Sequence, residues 1–333
     1  MLDIPHHTPR APSHFHSAII SAMILVTGAT GFIGRALVRH LSETGQEVRV
    51  LLRPSPKSPR LPKGVPVEVS VVSLNDERGV RAALRGVQQV FHLASASGQG
   101  RHGNLFNTDM EGTRILAQAA QDAGIQRLIF LSHVGADRMS AFPIHKAKGI
   151  AEEHIRKSGV PHTIIRSTIV FGPEDRFTNS IATALRYIPF LFPIPGDGKV
   201  LLQPLWVEDL VTALLWALQN PDMVNETYEI GGGEYFTLRQ VVETIMNISN
   251  TRRAFLPLSS PFMRGLFVTL DSMIPSANIS TYLLDYIAVN RTCPVENLSR
   301  NFGLMPARFG YRLDYLMRKP FLQRLQEALR ISR

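Results

Sequence analysis

The sequence predicts an α/β fold in which a doubly wound parallel sheet is followed by a smaller C-terminal α/β lobe. A short apolar run, a glycine-rich turn and an amphipathic segment follow one another within residues 23–41, and strand and helix patterns then alternate as far as residue 173. The chain of 333 residues, with 44% hydrophobic and 19% charged residues, is long enough for one large core, or one core with a second lobe.

The first unit, MILVTGATGFIGRALVRHL, explains its own shape. Its apolar residues 24–26 are typical of a strand buried on both faces, and apolar residues recur at helical spacing after the turn. Gly28 permits a tight turn, Gly31 lets the backbone approach a pyrophosphate closely, and Gly34 lets the helix and the strand touch. Because the helix N-terminus offers unpaired N–H groups to phosphates, the turn predicts a dinucleotide-binding site.

The remaining elements follow in order. We predict strands over residues 46–53, 65–74, 87–96, 125–136 and 161–173, with helices over 76–86, 107–124 and 142–159 between them. Pro143 suits the first turn of the last of these helices, and Gly159 suits the position after its end. The fourth strand ends in small residues at 94–96, so Ala94 is predicted to let a flat cofactor approach the sheet.

Charge and cysteine content narrow the function classes. The net charge of +9 attracts anionic ligands or an anionic membrane surface, but the sequence has no basic block with interleaved aromatics, so no nucleic acid is expected. The single Cys293 excludes an internal disulfide and fits a reducing compartment, so we expect a cytoplasmic protein that can be peripheral on the inner face of a membrane. No spanning helix is expected, and no metal site.

Several segments resemble the extended and atypical short-chain dehydrogenase/reductase family. They are TGATGFIG, NTDMEGT, RSTIVFGPED with Ser167 in place of a proline, QPLWVEDLVTAL and NETYEIGGGEYFTLRQVV. The later stretch YLLDYIAVNRTCPVENLSRNFGLMPARF resembles one branch, that of the nucleotide-binding accessory subunit of respiratory complex I and its bacterial relatives. The resemblance implies a Rossmann fold with bound NAD(H) or NADP(H).

The end of the second strand discriminates between the two dinucleotides. An acidic residue there favours NAD, whereas an arginine accommodates the 2′-phosphate of NADP. Arg53 lies 19 residues after Gly34, no acidic residue occurs between Val48 and Arg60, and Lys57 adds positive charge. We therefore predict that NADP(H) is favoured over NAD(H).

The catalytic motif implied by the resemblance is incomplete. Family enzymes use Tyr-x-x-x-Lys on the helix after the fifth strand, where the tyrosine transfers a proton and the lysine binds the nicotinamide ribose. Lys148 matches the lysine, but Ile144 stands at the tyrosine position, and the first tyrosine in the chain is Tyr187. The serine of the family corresponds to Ser132 or His133 at the end of the fifth strand.

Two interpretations of function remain open. In the first, the chain binds NADPH with weak or no ordinary dehydrogenase turnover and has a structural or assembly role at a membrane redox complex, as the resembled branch implies. In the second, it is an active NAD(P)H-dependent oxidoreductase or epimerase acting on an apolar carbonyl or quinone, with His133 replacing the tyrosine and His145 a weaker candidate.

The predicted site and domain organisation can now be stated. The cofactor-binding residues are Gly28, Thr30, Gly31, Phe32, Ile33, Gly34, Arg53, Ala94 and Lys148, and the catalytic candidates are Lys148, Ser132 and His133. Residues 1–22 are predicted to be a disordered tail or a start-site artefact, 23–175 a dinucleotide-binding domain and 176–318 mainly a substrate lobe. Residues 319–333 are predicted to form a basic amphipathic helix, which either packs on its own domain or docks on a partner or an anionic membrane.

Overall fold

The computed structural model describes residues 22–56, 59, 61–97, 103–273 and 281–317, except the side chains of 266–268, 270–273 and 281–283. The strands are β1 Ile24–Thr27, β2 Val48–Leu52, β3 Glu68–Val71, β4 Gln89–His92, β5 Arg127–His133, β6 His162–Ser167, β7 Val170–Phe171, β8 Leu191–Pro195, β9 Leu201–Leu202, β10 Leu205–Trp206, β11 Glu226–Ile230, β12 Phe236–Thr237 and β13 Ala254–Leu258. The α-helices are α1 Phe32–Glu43, α2 Glu77–Ala83, α3 Gly112–Asp122, α4 Pro143–Ser158, α5 Phe177–Tyr187, α6 Val207–Gln219, α7 Leu238–Ile248, α8 Ser260–Met273, α9 Thr281–Tyr286 and α10 Asn297–Phe302. Predictions for residues 1–21, Lys57, Arg60 and 319–333 lie outside the described residues.

A seven-stranded sheet in the order β11-β6-β5-β4-β1-β2-β3 forms the centre of the fold, and all its neighbouring strands are parallel. This sheet confirms the predicted fold class. The carboxyl ends of the central strands meet at one edge, with Thr27 beside His92 and His133 beside Ser167. The point at which the strand order reverses, between β1 and β4, is where open α/β sheets bind their ligands.

Helices cover both faces of the sheet. Alternate residues of each strand enter separate apolar clusters, as Val26 and Ile129 do on the face of α1 and α6, and Leu25 and Phe130 on the face of α3 and α4. Burial on both faces explains why the strands are continuous apolar runs, and why their pattern predicts them well. Helix α4 has Pro143 in its first turn and ends at Gly159 in the left-handed conformation, as predicted.

The C-terminal half contributes to both parts of the molecule. A third apolar cluster joins α5, α7 and the small sheets formed by β8 with β13 and by β9 with β12. Helix α6 and strand β11, however, return to the central sheet, where β11 pairs with β6. The predicted division at residue 175 stays a prediction. Segments that follow this residue in the sequence lie in both parts of the molecule. Within the described ranges, no helix combines the length and apolarity needed to cross a membrane.

The helix predicted over residues 107–124 differs at its start. Residues Phe106–Glu111 form a π-helical turn, and the α-helix begins only at Gly112. The side chain of Asn104 accepts a hydrogen bond from the backbone N–H of Asn107 at 2.9 Å, so the helical segment begins before the predicted residue 107. The wider turn places Asp109 in the interior, where it is fully buried. Single π-helical turns often occur at functional sites.

Candidate functional site

The glycine turn connects β1 to α1 at the carboxyl edge of the sheet. Gly28 has φ +75°, and a Cβ there would lie 2.7 Å from the backbone nitrogen of Ala94. A Cβ on Gly34 would lie 2.2 Å from the carbonyl oxygen of Gly28, so the helix contacts the strand as the sequence predicts. Gly31 is exposed and precedes the first helical residue, whose N–H group has no intrahelical acceptor. This geometry fits a pyrophosphate, because the N-terminus of α1 offers backbone N–H groups beside an exposed glycine.

The other predicted cofactor residues lie around this turn. Thr30 is exposed beside Gly31, and Phe32 and Ile33 are half-buried in the first turn of α1. The ring of Phe32 packs so closely on Gly172 that a Cβ on that glycine would lie 2.9 Å from it. Ala94 lies two residues after the end of β4, and its backbone nitrogen faces Gly28. The structure brings these residues together, and their individual contacts with a dinucleotide stay predictions.

Positive charge lies on both sides of the glycine turn. Arg53 is exposed and follows β2 directly. Arg35, which the sequence analysis did not single out, donates to the carbonyl oxygen of Thr30 and pairs with Glu174. It also lines a cleft of about 550 Å³ between α1 and residues 61–65, together with Arg39. The position of Arg35 directly after Gly34, the third glycine of the turn, is the sequence signal that could have identified it.

Lys148 is held inside the protein by a carboxylate. Its side chain is 4% exposed, and its Nζ lies 3.2 Å from Oδ1 of Asp109 and 3.3 Å from the carbonyl oxygen of Leu131. The other carboxylate oxygen of Asp109 accepts a 2.8 Å hydrogen bond from the backbone N–H of Ala96. The ion pair therefore connects α4, the π-helical turn and the segment after β4. No motif in the sequence paired Lys148 with Asp109.

The two positions beside Lys148 in the expected catalytic motif are also engaged. Ile144 is 3% exposed and packs in an apolar cluster with Ala96, Leu105 and Ala147. The hydroxyl of Ser132 donates a 2.6 Å hydrogen bond to Oε1 of Glu152. Glu152 in turn pairs with Arg166 and Arg156, so the buried serine belongs to an ion network between α4 and β6. A catalytic role for Ser132 stays a prediction.

His133 lies in a buried cluster that also contains His145. The two rings meet edge to face with centroids 4.7 Å apart, and the centroid of the Tyr286 ring lies 5.3 Å from that of His133. Arg291 donates from Nη1 to Nδ1 of His145 at 2.8 Å, with the neutral tautomer assigned from this contact. Burial lowers the pKa of His133 well below its usual value, and nearby His145, Lys148 and Arg291 lower it further. Burial and Arg291 lower the pKa of His145 to about 3.

Sequence reasoning missed half of this cluster. Tyr286 and Arg291 are about 150 residues away from His133 and His145, and no local spacing connects them. His145, the weaker candidate for the role of the tyrosine, is almost fully buried on α4. Among the side chains that the structure describes, no three His, Cys, Asp or Glu residues are grouped so that they could hold a metal ion.

Comparisons with known proteins agree with this geometry. A model described as NAD(P)H-binding matches residues 28–181, and a model of the NAD dependent epimerase/dehydratase family matches residues 137–231. The chain is 29% identical over 327 residues to NADH dehydrogenase (ubiquinone) 1 alpha subcomplex subunit 9, mitochondrial, of Arabidopsis thaliana, covering 93% of this chain and 81% of that protein. The same subunit from Rattus norvegicus is 28% identical, and the match covers 74% of this chain and 65% of the rat protein.

One further relative is named as a reductase, and one solved structure shares the fold. Ceramide reductase of Caulobacter vibrioides is 28% identical over 199 residues, which covers 60% of this chain and 62% of that protein. The crystal structure of the NADPH-dependent quinone oxidoreductase QOR2 of Escherichia coli, complexed with NADPH, superposes with a TM-score of 0.71 at 20% identity, covering 88% of this chain and 99% of the other. The chain thus has a Rossmann fold, matches an NAD(P)H-binding family model and an epimerase/dehydratase family model over parts of its length, and is similar to the NADH dehydrogenase (ubiquinone) subunit named above.

Proposed function

We propose that this chain binds NADPH as a lasting component and performs little or no ordinary hydride transfer. The observation that carries the proposal is Ile144, which fills the position of the family tyrosine and is buried among apolar side chains. A bound NADPH can supply a hydride, but reduction of a carbonyl also needs a proton at the oxygen. An isoleucine cannot donate one, and general acid–base groups typically contribute about 10²–10⁴-fold to the rate.

The neighbouring groups support the same conclusion. Lys148 forms an ion pair with Asp109, and Ser132 donates a hydrogen bond to Glu152, so both side chains already have partners within the protein. Such buried ion pairs and hydrogen bonds hold α4 against β5 and the π-helical turn. Internal partners at Lys148 and Ser132 favour a site that is stable around its cofactor rather than one poised for turnover.

The preference for NADPH is supported by the charges around the glycine turn. Arg53 follows β2, where an acidic residue would favour NAD, and Arg35 lies at the exposed residue Thr30. A charge-assisted contact with a 2′-phosphate contributes on the order of 1.5–3 kcal/mol. That energy corresponds to a preference of about tenfold or more over NADH.

The names of the relatives support a structural or assembly role at a membrane redox complex. The Arabidopsis and rat proteins are named as subunits of NADH dehydrogenase (ubiquinone), and the first of them matches almost the whole of this chain. We place this chain in the cytoplasm or at the inner face of a membrane, bound peripherally to such a complex. The net charge of +9 favours an anionic surface.

The second candidate is an active reductase or epimerase that uses His133 and takes an apolar carbonyl or a quinone. It is favoured by the position of His133 at the carboxyl end of β5, beside His145 and Tyr286. The relative named ceramide reductase is consistent with it. The lowered pKa of His133 opposes it, because the imidazole then has no additional proton at pH 7 to transfer, whereas carbonyl reduction needs a proton donor.

Calorimetric titration with NADPH and NADH tests the proposed cofactor. We expect NADPH to bind more tightly to the wild type, and Arg53→Asp to weaken NADPH binding about tenfold or more while NADH binding changes little. The exposed Arg252 lies between α7 and β13, so Arg252→Asp is the control for a general change in charge. Equal affinities for the two dinucleotides, or a preference that survives Arg53→Asp, would contradict the role of Arg53.

A further inference from the structure

Arg291 is a buried cation without a matching anion. It is 1% exposed, and it has no ion pair with any carboxylate that the structure describes. Its Nη1 donates to the carbonyl oxygen of Val134 at 2.6 Å and to His145, whereas its Nε and Nη2 atoms are buried without a hydrogen-bond partner. Burial lowers its pKa to about 10, so the side chain is still charged at pH 7.

Two other arginines with little exposure have compensating groups. Arg166 pairs with Glu152 and Glu229. Arg127 donates to the carbonyl oxygens of Ala217 and Asn220 at the end of α6, where the helix dipole favours a cation. Besides its two neutral hydrogen-bond acceptors, Arg291 has the Tyr286 ring, whose centroid lies 5.0 Å from its guanidinium carbon, and no described carboxylate pairs with it. A buried charge that lacks a counter-charge is strongly unfavourable, so this one calls for a negative partner.

The atoms around Arg291 favour the same kind of partner. Both ring nitrogens of His133 and Nε2 of His145 are buried and have no hydrogen-bond partner. Each neutral imidazole can donate one hydrogen bond, and the guanidinium edge of Nε and Nη2 offers a planar pair of donors. A carboxylate or a phosphate accepts several such bonds at once, and a guanidinium edge fits it with two parallel bonds.

The backbone is shaped for this arginine. Gly135 has φ +86°, and a Cβ on it would lie 2.8 Å from Nη1 of Arg291. The guanidinium therefore occupies space that only glycine leaves open, directly after the end of β5. The ring of Tyr286 contacts both His133 and Arg291, and this residue is half-buried.

We infer that Arg291, His133 and His145 bind an oxyanion group, a carboxylate or a phosphate, of a small ligand. The site is separate from the phosphates of the dinucleotide, which belong to the glycine turn at the N-terminus of α1. It lies at the same edge of the sheet, at the end of β5. The ligand is a second molecule beyond the NADPH of the proposed function, and its anionic group is the feature by which the protein recognises it.

Thermal unfolding of the full chain tests this site with two probes, sodium acetate and sodium phosphate, at constant ionic strength set with sodium chloride. Each titration is run with and without saturating NADPH, because NADPH prevents free phosphate from binding at the glycine turn. We expect at least one anion to raise the Tm of the wild type in a saturating manner by roughly 3 °C or more. Acetate and phosphate distinguish the carboxylate from the phosphate as the preferred group.

Arg291→Met is expected to remove this rise while leaving the NADPH-dependent rise in Tm intact. Arg252→Met, at an exposed arginine, is expected to keep both. If Arg291→Met does not fold, His133→Ala is measured instead, and it should reduce the anion-dependent rise. No saturating rise in the wild type, or an equal rise in Arg291→Met with NADPH bound, would overturn the inference. A chain that binds acetate but no NADPH would contradict the proposed function alone.

Discussion

The ion pair between Lys148 and Asp109 gives the sharpest test of what holds the expected catalytic lysine. Replacing Lys148 with methionine leaves a carboxylate that is 0% exposed, with only the backbone N–H of Ala96 as a hydrogen-bond donor. At 3.2 Å and an effective dielectric constant of about 20, the attraction between the two charges is about 5 kcal/mol. Removing one partner of a buried pair typically costs about 3–5 kcal/mol of stability. We expect Lys148→Met to lose that amount.

Urea unfolding of the full chain, followed by circular dichroism, measures this loss. Lys146→Met is the matched control, because Lys146 is exposed on the same helix, and its change should stay within about 0.5 kcal/mol. The double variant Lys148→Met with Asp109→Asn removes both charges, so it should be more stable than Lys148→Met alone. If Lys148→Met is as stable as Lys146→Met, the lysine is not a structural partner of Asp109.

Two further predictions concern the glycine turn and a histidine behind it. Gly34→Ala should weaken NADPH binding at least about tenfold and destabilise the fold by about 1–3 kcal/mol, because its Cβ would lie 2.2 Å from the carbonyl oxygen of Gly28. Gly310→Ala is the control, because Gly310 has open space around it, and it should change neither NADPH binding, measured by calorimetry, nor stability, measured by urea unfolding. Burial lowers the pKa of His92 to about 3 in the folded chain. Below about pH 6.5 this histidine therefore binds a proton in the unfolded chain but not in the folded chain, so the stability of the fold decreases as the pH falls. Between about pH 6 and 4, His92→Gln should therefore show a stability slope that is shallower by about 1.4 kcal/mol per pH unit, and an unchanged slope would contradict this reasoning.

Local features of the fold could be predicted because neighbouring residues determine them. The strand, turn and helix around Gly28 and Gly34 occupy one short segment, and the structure places them as predicted. The limits of α4 at Pro143 and Gly159 follow from the backbone preferences of these two residues. Strand ends differed by a few residues, since apolar character continues past the last paired residue.

Features that depend on distant segments could not be predicted. The sequence analysis predicts no strand over residues 226–230, and no local pattern there shows that β11 returns to pair with β6. The pairing of Lys148 with Asp109 depends on a π-helical turn that the helical pattern hides. Tyr286 and Arg291 reach His133 only through the packing of the C-terminal lobe.

Measurement of NADPH oxidation with aldehydes, ketones and quinones tests the central claim most directly. The wild type is mixed with NADPH at saturating concentration, and the fall in absorbance is compared with that of His133→Ala and of buffer alone. We expect both proteins to bind NADPH. We also expect their rates of NADPH oxidation to be at least about 10²-fold lower than that of an ordinary family enzyme, because Ile144 cannot transfer a proton. Rapid turnover that disappears in His133→Ala would contradict the claim and make His133 the proton-transferring residue of an active reductase.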